Sequence, residues 1–153
     1  MFTSLPAGTA CGGLNARVRF DIPMPELSLT EQAQTARERA IATYSGFRVG
    51  AALRTRGGRI FRGCNIENAS YGLTVCAERV ALLTALAEGE REFDAIAVVS
   101  DATPPATPCG PCRQLLWEYC RDIEVVTADL HGHERRFRMS ELLPHPFDLI
   151  PED

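Results

Sequence analysis

The sequence predicts a three-layer α/β/α fold built on a mixed β-sheet. Two observations lead there. Segments with helical apolar spacing alternate along the chain with short β-branched and apolar runs, the pattern of helices packed on the faces of a sheet. The first two strand-like runs meet at Gly57-Gly58, which suits a tight antiparallel hairpin and makes the sheet mixed. At 153 residues the chain is the size of one ordinary domain with a substantial core. No repeat or linker divides it. Residues 1–26 carry scattered Gly and Pro without a period and are expected to form an irregular arm, leaving 27–153 as the folded domain.

The elements follow in order. Ser28 and Glu31 have the spacing of a capping box, which satisfies free amides at a helix start. Leu29, Ala33, Ala36, Ala40 and Thr43 keep a helical period, so the first helix is expected over Leu29–Thr43. Val49–Thr55 and Arg59–Cys64 read as the hairpin strands. A polar loop, 65–72, precedes a helix expected over Val75–Glu88, with Val80, Leu83, Leu86 and Ala87 as its apolar stripe and Gly89 as its stop. Ala95–Ser100 is apolar throughout, as in a central strand covered on both faces. Pro104, Pro105 and Pro108 hold an open loop. The next helix opens at Pro111, where proline's missing amide hydrogen costs nothing, and runs to Arg121. Ile123–Ala128 reads as a strand, His131-Gly132-His133 as a turn, Phe137 as part of a last strand, and Ser140–Leu143 as a short helix.

Composition excludes several classes. A net charge of −4 does not suit a protein that grips nucleic acid through its phosphates. No run approaches the roughly 20 apolar residues of a membrane span. The N-terminus lacks a basic region followed by an apolar run, so no signal peptide is expected. A cytoplasmic protein follows, and its cysteines read as metal ligands, buried residues or redox groups rather than disulfides.

The chemistry concentrates in Cys76-Ala77-Glu78 and Pro108-Cys109-Gly110-Pro111-Cys112. Structural zinc takes four protein ligands, whereas catalytic zinc keeps three and an open position. Cys76, Cys109 and Cys112 supply three. All fall at expected helix starts, where the helix dipole favours thiolate. Arg79 and Arg113, just beyond the ligands, are placed to offset the cluster's negative charge. Glu78, two residues past a ligand, points to another helix face; it can reach a water on the metal and move its proton. Two rivals stand beside this reading. Cys109-Gly110-Pro111-Cys112 contains the residue types of a thioredoxin redox site, but it lies late in the chain and Trp117 does not precede it. A purely structural zinc module needs a fourth ligand, and no well-spaced histidine is near.

Those two motifs, with Gly63-Cys64-Asn65-Ile66-Glu67-Asn68-Ala69, Tyr44 through Leu53, and Glu141-Leu142-Leu143-Pro144, strongly resemble the small homotetrameric cytidine deaminases of the cytidine and deoxycytidylate deaminase family. The resemblance spans roughly Leu29 to Phe147. It implies a cytidine deaminase-like fold, one Zn²⁺ per subunit held by Cys76, Cys109 and Cys112, and pyrimidine salvage as the setting. It implies that water activated at the zinc attacks C4 of cytidine or 2′-deoxycytidine, with Glu78 shuttling protons to N3 and then to departing ammonia. Asn65-Ile66-Glu67 resembles the segment that binds ribose, with Asn65 and Glu67 on its hydroxyls. Phe47 resembles the aromatic beside the pyrimidine, and Ala77 and Thr107 the backbone contacts to the base. Neighbouring subunits complete each pocket in the family, and Tyr71 and Phe147 are the candidates near that interface. A nucleoside is the expected partner, with neither nucleic acid nor membrane. One departure is Thr43, where the family often has proline before Tyr-Ser. Cys64 and Cys120 are expected to be buried apolar residues, and His131, His133 and His145 to lie on the surface.

Overall fold

A computed structural model of the chain describes residues 27–148. The arm expected over 1–26, and residues 149–153, lie outside them. Helix α1 covers Leu29–Arg37, strands β1 and β2 Val49–Thr55 and Ile60–Cys64, and a 3₁₀ turn Tyr71–Leu73. Then come α2 (Ala77–Ala87), β3 (Phe93–Ser100), α3 (Gly110–Cys120), β4 (Glu124–Ala128), β5 (Glu134–Arg138) and α4 (Met139–Leu142).

The strands lie in the order β2-β1-β3-β4-β5. Among these strands only β3 and β4 pair in parallel; β1 is antiparallel to both β2 and β3, and β5 is antiparallel to β4. The sheet is mixed, as the hairpin requires. Gly58 takes φ +86°, where a side chain is disfavoured, and its amide closes the turn onto Thr55 O at 2.9 Å.

The period-two alternation of strand side chains sorts the core into two faces. Ala52, Ala97, Val99, Val126 and Ala128 meet Ala33 of α1 on one side. Ala51, Leu53, Phe61, Ile96, Val98 and Val125 meet α2, α3 and α4 on the other. This is the three-layer arrangement. Each fully buried leucine or isoleucine, such as Leu53, Leu82, Ile96 and Leu116, stabilises it by about 1.5–3 kcal/mol.

Two expectations need correction. Helix α1 ends at Arg37 instead of Thr43. Ile41 N donates to Asn65 O at 3.0 Å and Ile41 O accepts from Glu67 N at 2.8 Å, so a parallel bridge to Ile66 draws the chain out of the helix. Helix α2 begins at Ala77, because Val75 is bridged to the other edge of Ile66. Its buried face is Ala77, Glu78, Ala81, Leu82 and Ala85, while Leu83 is 51% exposed. The small residues face inward because α2 crosses β2 at contact distance. A Cβ on Gly63 would lie 2.3 Å from Ala77 O and 2.5 Å from Ala81 N.

Candidate active site

The double bridge at Ile66 sets the geometry of the site. It fixes Val75, so the next residue, Cys76, becomes the N-cap of α2 with extended backbone. Cys109 is likewise the N-cap of α3. Neither side chain caps its own helix, so both sulfurs are free for other work. Cys112, in the first turn of α3, is buried. The three Sγ atoms all lie within 4.8 Å of one another, and those of Cys76 and Cys109 are 3.8 Å apart. A tetrahedron with Zn–S bonds of about 2.3 Å has edges of roughly 3.8 Å. The donor set therefore fits zinc in both chemistry and size.

Electrostatics agree. The hydrogen bond from Cys112 lowers the Cys76 thiol to about 5 against the opposing cost of burial, with Arg79 adding to the effect. The same bond and burial push Cys112 up. Three thiols this close resist sharing negative charge, which is the condition a divalent cation relieves. Arg79 donates from Nη2 to Cys76 Sγ at 3.6 Å and to Thr74 O at 3.1 Å.

Glu78 is 5% exposed. Burial, the largest influence, holds its carboxyl up at about 7. It lines a cavity of about 190 Å³ together with Cys76, Ala77 and Cys109. Phe47, Asn65 and Thr107 form other parts of the wall. A buried carboxyl beside three convergent thiols, in the wall of a mostly apolar cavity, is equipped for metal-assisted proton transfer.

The sequence pattern of the cytidine and deoxycytidylate deaminase zinc-binding region matches residues 25–128. The chain belongs to this zinc-binding deaminase family. A cytidine deaminase of Halalkalibacterium halodurans is 50% identical over 125 residues, spanning 81% of this chain and 95% of the relative. The crystal structure of cytidine deaminase from Burkholderia pseudomallei superposes with a TM-score of 0.78 at 51% identity, covering 81% of this chain and all of that one. A blasticidin-S deaminase of Bacillus cereus is 33% identical over 133 residues, or 82% of this chain and 94% of the relative. The chain thus shares its fold with the Burkholderia structure and its zinc-binding region with the family.

Other residues singled out by the sequence fall in several places. Asn65 is 8% exposed; its Oδ1 accepts from Val49 N at 2.8 Å and its Nδ2 donates to Phe47 O at 2.9 Å. Glu67 and Ile66 are not among the cavity's lining residues. The Glu67 carboxylate instead accepts from Tyr44 N, Ser45 N and Ser45 Oγ, and these bonds lower its pKa. Asn65 and Glu67, two residues apart, both bond the 44–49 segment, Glu67 at Tyr44 and Ser45 and Asn65 at Phe47 and Val49. Arg113 donates to Pro108 O, Thr107 Oγ1 and Leu142 O; its guanidinium is engaged by the loop and not by a sulfur. Tyr71 is 76% exposed with its ring edge-to-face against Tyr44. Phe147 is 70% exposed, its backbone held at both N and O by the Gln114 amide.

Cys120 is buried, and burial raises its thiol to about 12. Cys64 is only half-buried and points its thiol at Arg39 O, so its expected burial is partial. Sequence reasoning missed Val49, Thr74, Val98, Ser100 and Ala106 in the cavity wall. Val98 and Ser100 share one face at the carboxyl end of β3, the end where α/β sheets place ligands. That position was the available signal.

Proposed function

We propose that this chain catalyses hydrolytic deamination of cytidine and 2′-deoxycytidine to uridine and 2′-deoxyuridine, releasing ammonia. The observation that carries the reading is the convergence of the Cys76, Cys109 and Cys112 sulfurs beside a nucleobase-sized cavity whose wall includes Cys76, Cys109 and buried Glu78. Bound zinc, held by the three thiolates, supplies the Lewis acidity that makes water a nucleophile near neutral pH. Glu78 would accept one proton of the attacking water and pass it to ring N3 as oxygen bonds to C4, then carry the hydroxyl's proton to the amine as the C4–N bond breaks, so that ammonia leaves and C4 keeps the oxygen. A carboxyl raised to about 7 exchanges a proton readily in both directions near neutrality. Phe47 packs on the pyrimidine, and the Ala77 amide and Thr107 carbonyl orient the base.

Asn65 and Glu67 are assigned to the ribose hydroxyls. Each retains capacity for that role. Oε1 of Glu67 accepts one bond, from Ser45 Oγ, and Asn65 uses one amide hydrogen and one oxygen lone pair, leaving a site on each. Arg79, bonded to Cys76, moderates the charge of the thiolates; Arg113 acts on that charge at longer range while fixing the loop that carries Cys109. The active unit is a homotetramer of the domain over 27–153, working in cytoplasmic pyrimidine salvage. Exposed Tyr71 and Phe147 suit contact with a second copy.

Glu78→Gln should keep zinc and lower turnover by at least about 10³-fold, the upper range for a general acid–base group. Ammonia release from cytidine, with zinc content measured alongside, checks this; turnover near the parent rate removes Glu78 from the mechanism. The likeness to the blasticidin-S deaminase supports a second reading, an aminated heterocycle without ribose contacts. Assaying cytidine and blasticidin S side by side separates the two. A mass in solution about four times that of the 16.8 kDa chain, by light scattering, tests the tetramer.

A further inference from the structure

The segment from Tyr44 to Val49 runs along the cavity and carries Phe47, yet residues 43–48 are exposed and belong to no helix or strand. Such a segment is expected to leave its amides to water. Here every N–H from 44 to 49 has a protein partner. Tyr44 N and Ser45 N donate to Glu67, Gly46 N to Ala42 O, and Phe47 N to Ser45 Oγ. Arg48 N donates to Asp101 Oδ2 at 3.1 Å, and Val49 N to Asn65 Oδ1 at 2.8 Å. A loop whose six amides are all bound, five of them by groups outside it, is pre-organised, and pre-organisation lowers the cost of binding.

Asn65 and Glu67 already have a place in the proposed reading. Asp101 does not. It follows Ser100 at the carboxyl end of β3, where Ser100 lines the cavity. Its other oxygen, Oδ1, pairs with Arg37 Nη2 at the last residue of α1. Arg37 is the more covered partner, its side chain 15% exposed against 33% for that of Asp101. One carboxylate therefore joins the end of α1, the end of β3 and the backbone beside Phe47. A charged acceptor makes a stronger hydrogen bond to an amide than a neutral one, and a guanidinium on its second oxygen fixes its direction.

We infer that Asp101 is a positioning residue for substrate binding: held by Arg37, it anchors Arg48 N and so sets the Phe47 ring against the cavity. The consequence for a nucleoside rests on the proposed function; the anchoring itself does not. Asp101 touches no reacting atom, so its loss should weaken binding of substrate and transition state alike, raising KM and leaving kcat nearly alone.

The experiment uses the full-length zinc-loaded protein with Asp101→Ala and Asp101→Asn. Hydrogen exchange followed amide by amide reads the anchor directly. In the Ala variant the Arg48 amide, with its neighbours at Phe47 and Val49, should exchange faster, while amides of α2 and α3 stay protected. Asn keeps an oxygen that can accept from Arg48 N but loses the charge, so it should restore part of the protection. With cytidine, the Ala variant should show KM raised about tenfold, on the scale of one charge-assisted hydrogen bond. Its kcat should stay within about twofold at unchanged zinc content, with Asn in between. Unchanged exchange at Arg48 in the Ala variant overturns the anchoring. Faster exchange with unchanged KM overturns the link to binding, as does a fall in kcat that tracks lost zinc. If the Ala variant does not fold, Asn carries the test by the same two readouts. Should the parent fail to turn over cytidine, the exchange result still decides whether Asp101 holds the loop, and only the substrate reading falls.

Discussion

Helices α2 and α3 each bring an N-cap cysteine to the same point, but they are held there by different forces. Helix α2 is seated by shape. Its Ala77, Ala81 and Ala85 are buried, and its backbone touches β2 where Gly63 has no side chain. Helix α3 also sends Leu116 and Cys120 into the core, but both its ends carry polar tethers that α2 lacks at Gly63. Arg113 ties its first turns to Pro108, Thr107 and Leu142. Further along, Gln114 grips Phe147, and Trp117 and Arg121 bond Asp148. A shape fit has no intermediate setting, because packed backbones cannot absorb an extra carbon. Tethers fail one at a time. The zinc site should therefore break abruptly from the α2 side and gradually from the α3 side.

The largest effect should come from Gly63→Ala. The added Cβ meets carbonyl and amide atoms of α2 at 2.3 and 2.5 Å, neither of which can rotate away. Overpacking of this kind costs about 3 kcal/mol at the upper end. Because Ala77 lies between Cys76 and Glu78, the displaced turn is the one that carries the chemistry. The urea midpoint should drop sharply and zinc content and activity should fall together. A variant that keeps the parent's midpoint and zinc content would show that α2 can slide, and the contrast with α3 would collapse.

Arg113→Ala should cost less, about 2 kcal/mol, as expected for a part-buried charged donor. The fold persists, but zinc should pass faster to a competing chelator, because Cys109 follows directly on Pro108. Arg113→Lys sharpens the point. One ammonium cannot reach three acceptors arranged for a planar fork, so lysine should recover only part of the lost retention. Full recovery would mean that charge alone, not the fork, steadies the loop.

This division also explains what could be read from the sequence. Features set by neighbours in the chain were legible: the Ser28–Glu31 capping box, the Gly57-Gly58 turn, and β1, whose bounds Val49–Thr55 match the expectation. The cysteine spacing was legible because metal ligands demand particular residue types. What depended on distant partners was not. The period through Ala40 and Thr43 is compatible with helix, and only the pairing of Ile41 with Asn65 and Glu67 ends it. The apolar stripe expected on α2 favoured large residues such as Leu83, whereas the contact with Gly63 selects alanines. That partner lies in another element, so no local pattern reveals it. The hold of Glu67 and Asp101 on the Tyr44–Val49 loop is equally remote, at separations of 22 to 53 residues.

The smallest effect probes a tether one step farther out. The Asp129 side chain is shut away from solvent and accepts from Thr103 Oγ1, His131 N, His133 N and His133 Nδ1 at 2.7–3.0 Å. Burial alone would raise its pKa, but the His133 ring and amide, the His131 amide and the Thr103 hydroxyl together hold it well below the usual carboxylate range. A carboxyl depressed in the folded state adds stability that is fully present above its unfolded pKa of about 4 and is lost as pH falls toward the folded value. Thr103 lies in the loop that leads to Cys109, so this charge ties the α3 side to the turn between β4 and β5. Asp129→Asn should lower the urea midpoint modestly at pH 6, and the gap from the parent should narrow at pH 3. With chelator present in both, zinc loss does not enter the comparison. A gap unchanged between the two pH values would mean that the charge contributes nothing. Asp129 would then act by shape, as Gly63 does, and the α3 side would be less purely tethered than its hydrogen bonds imply.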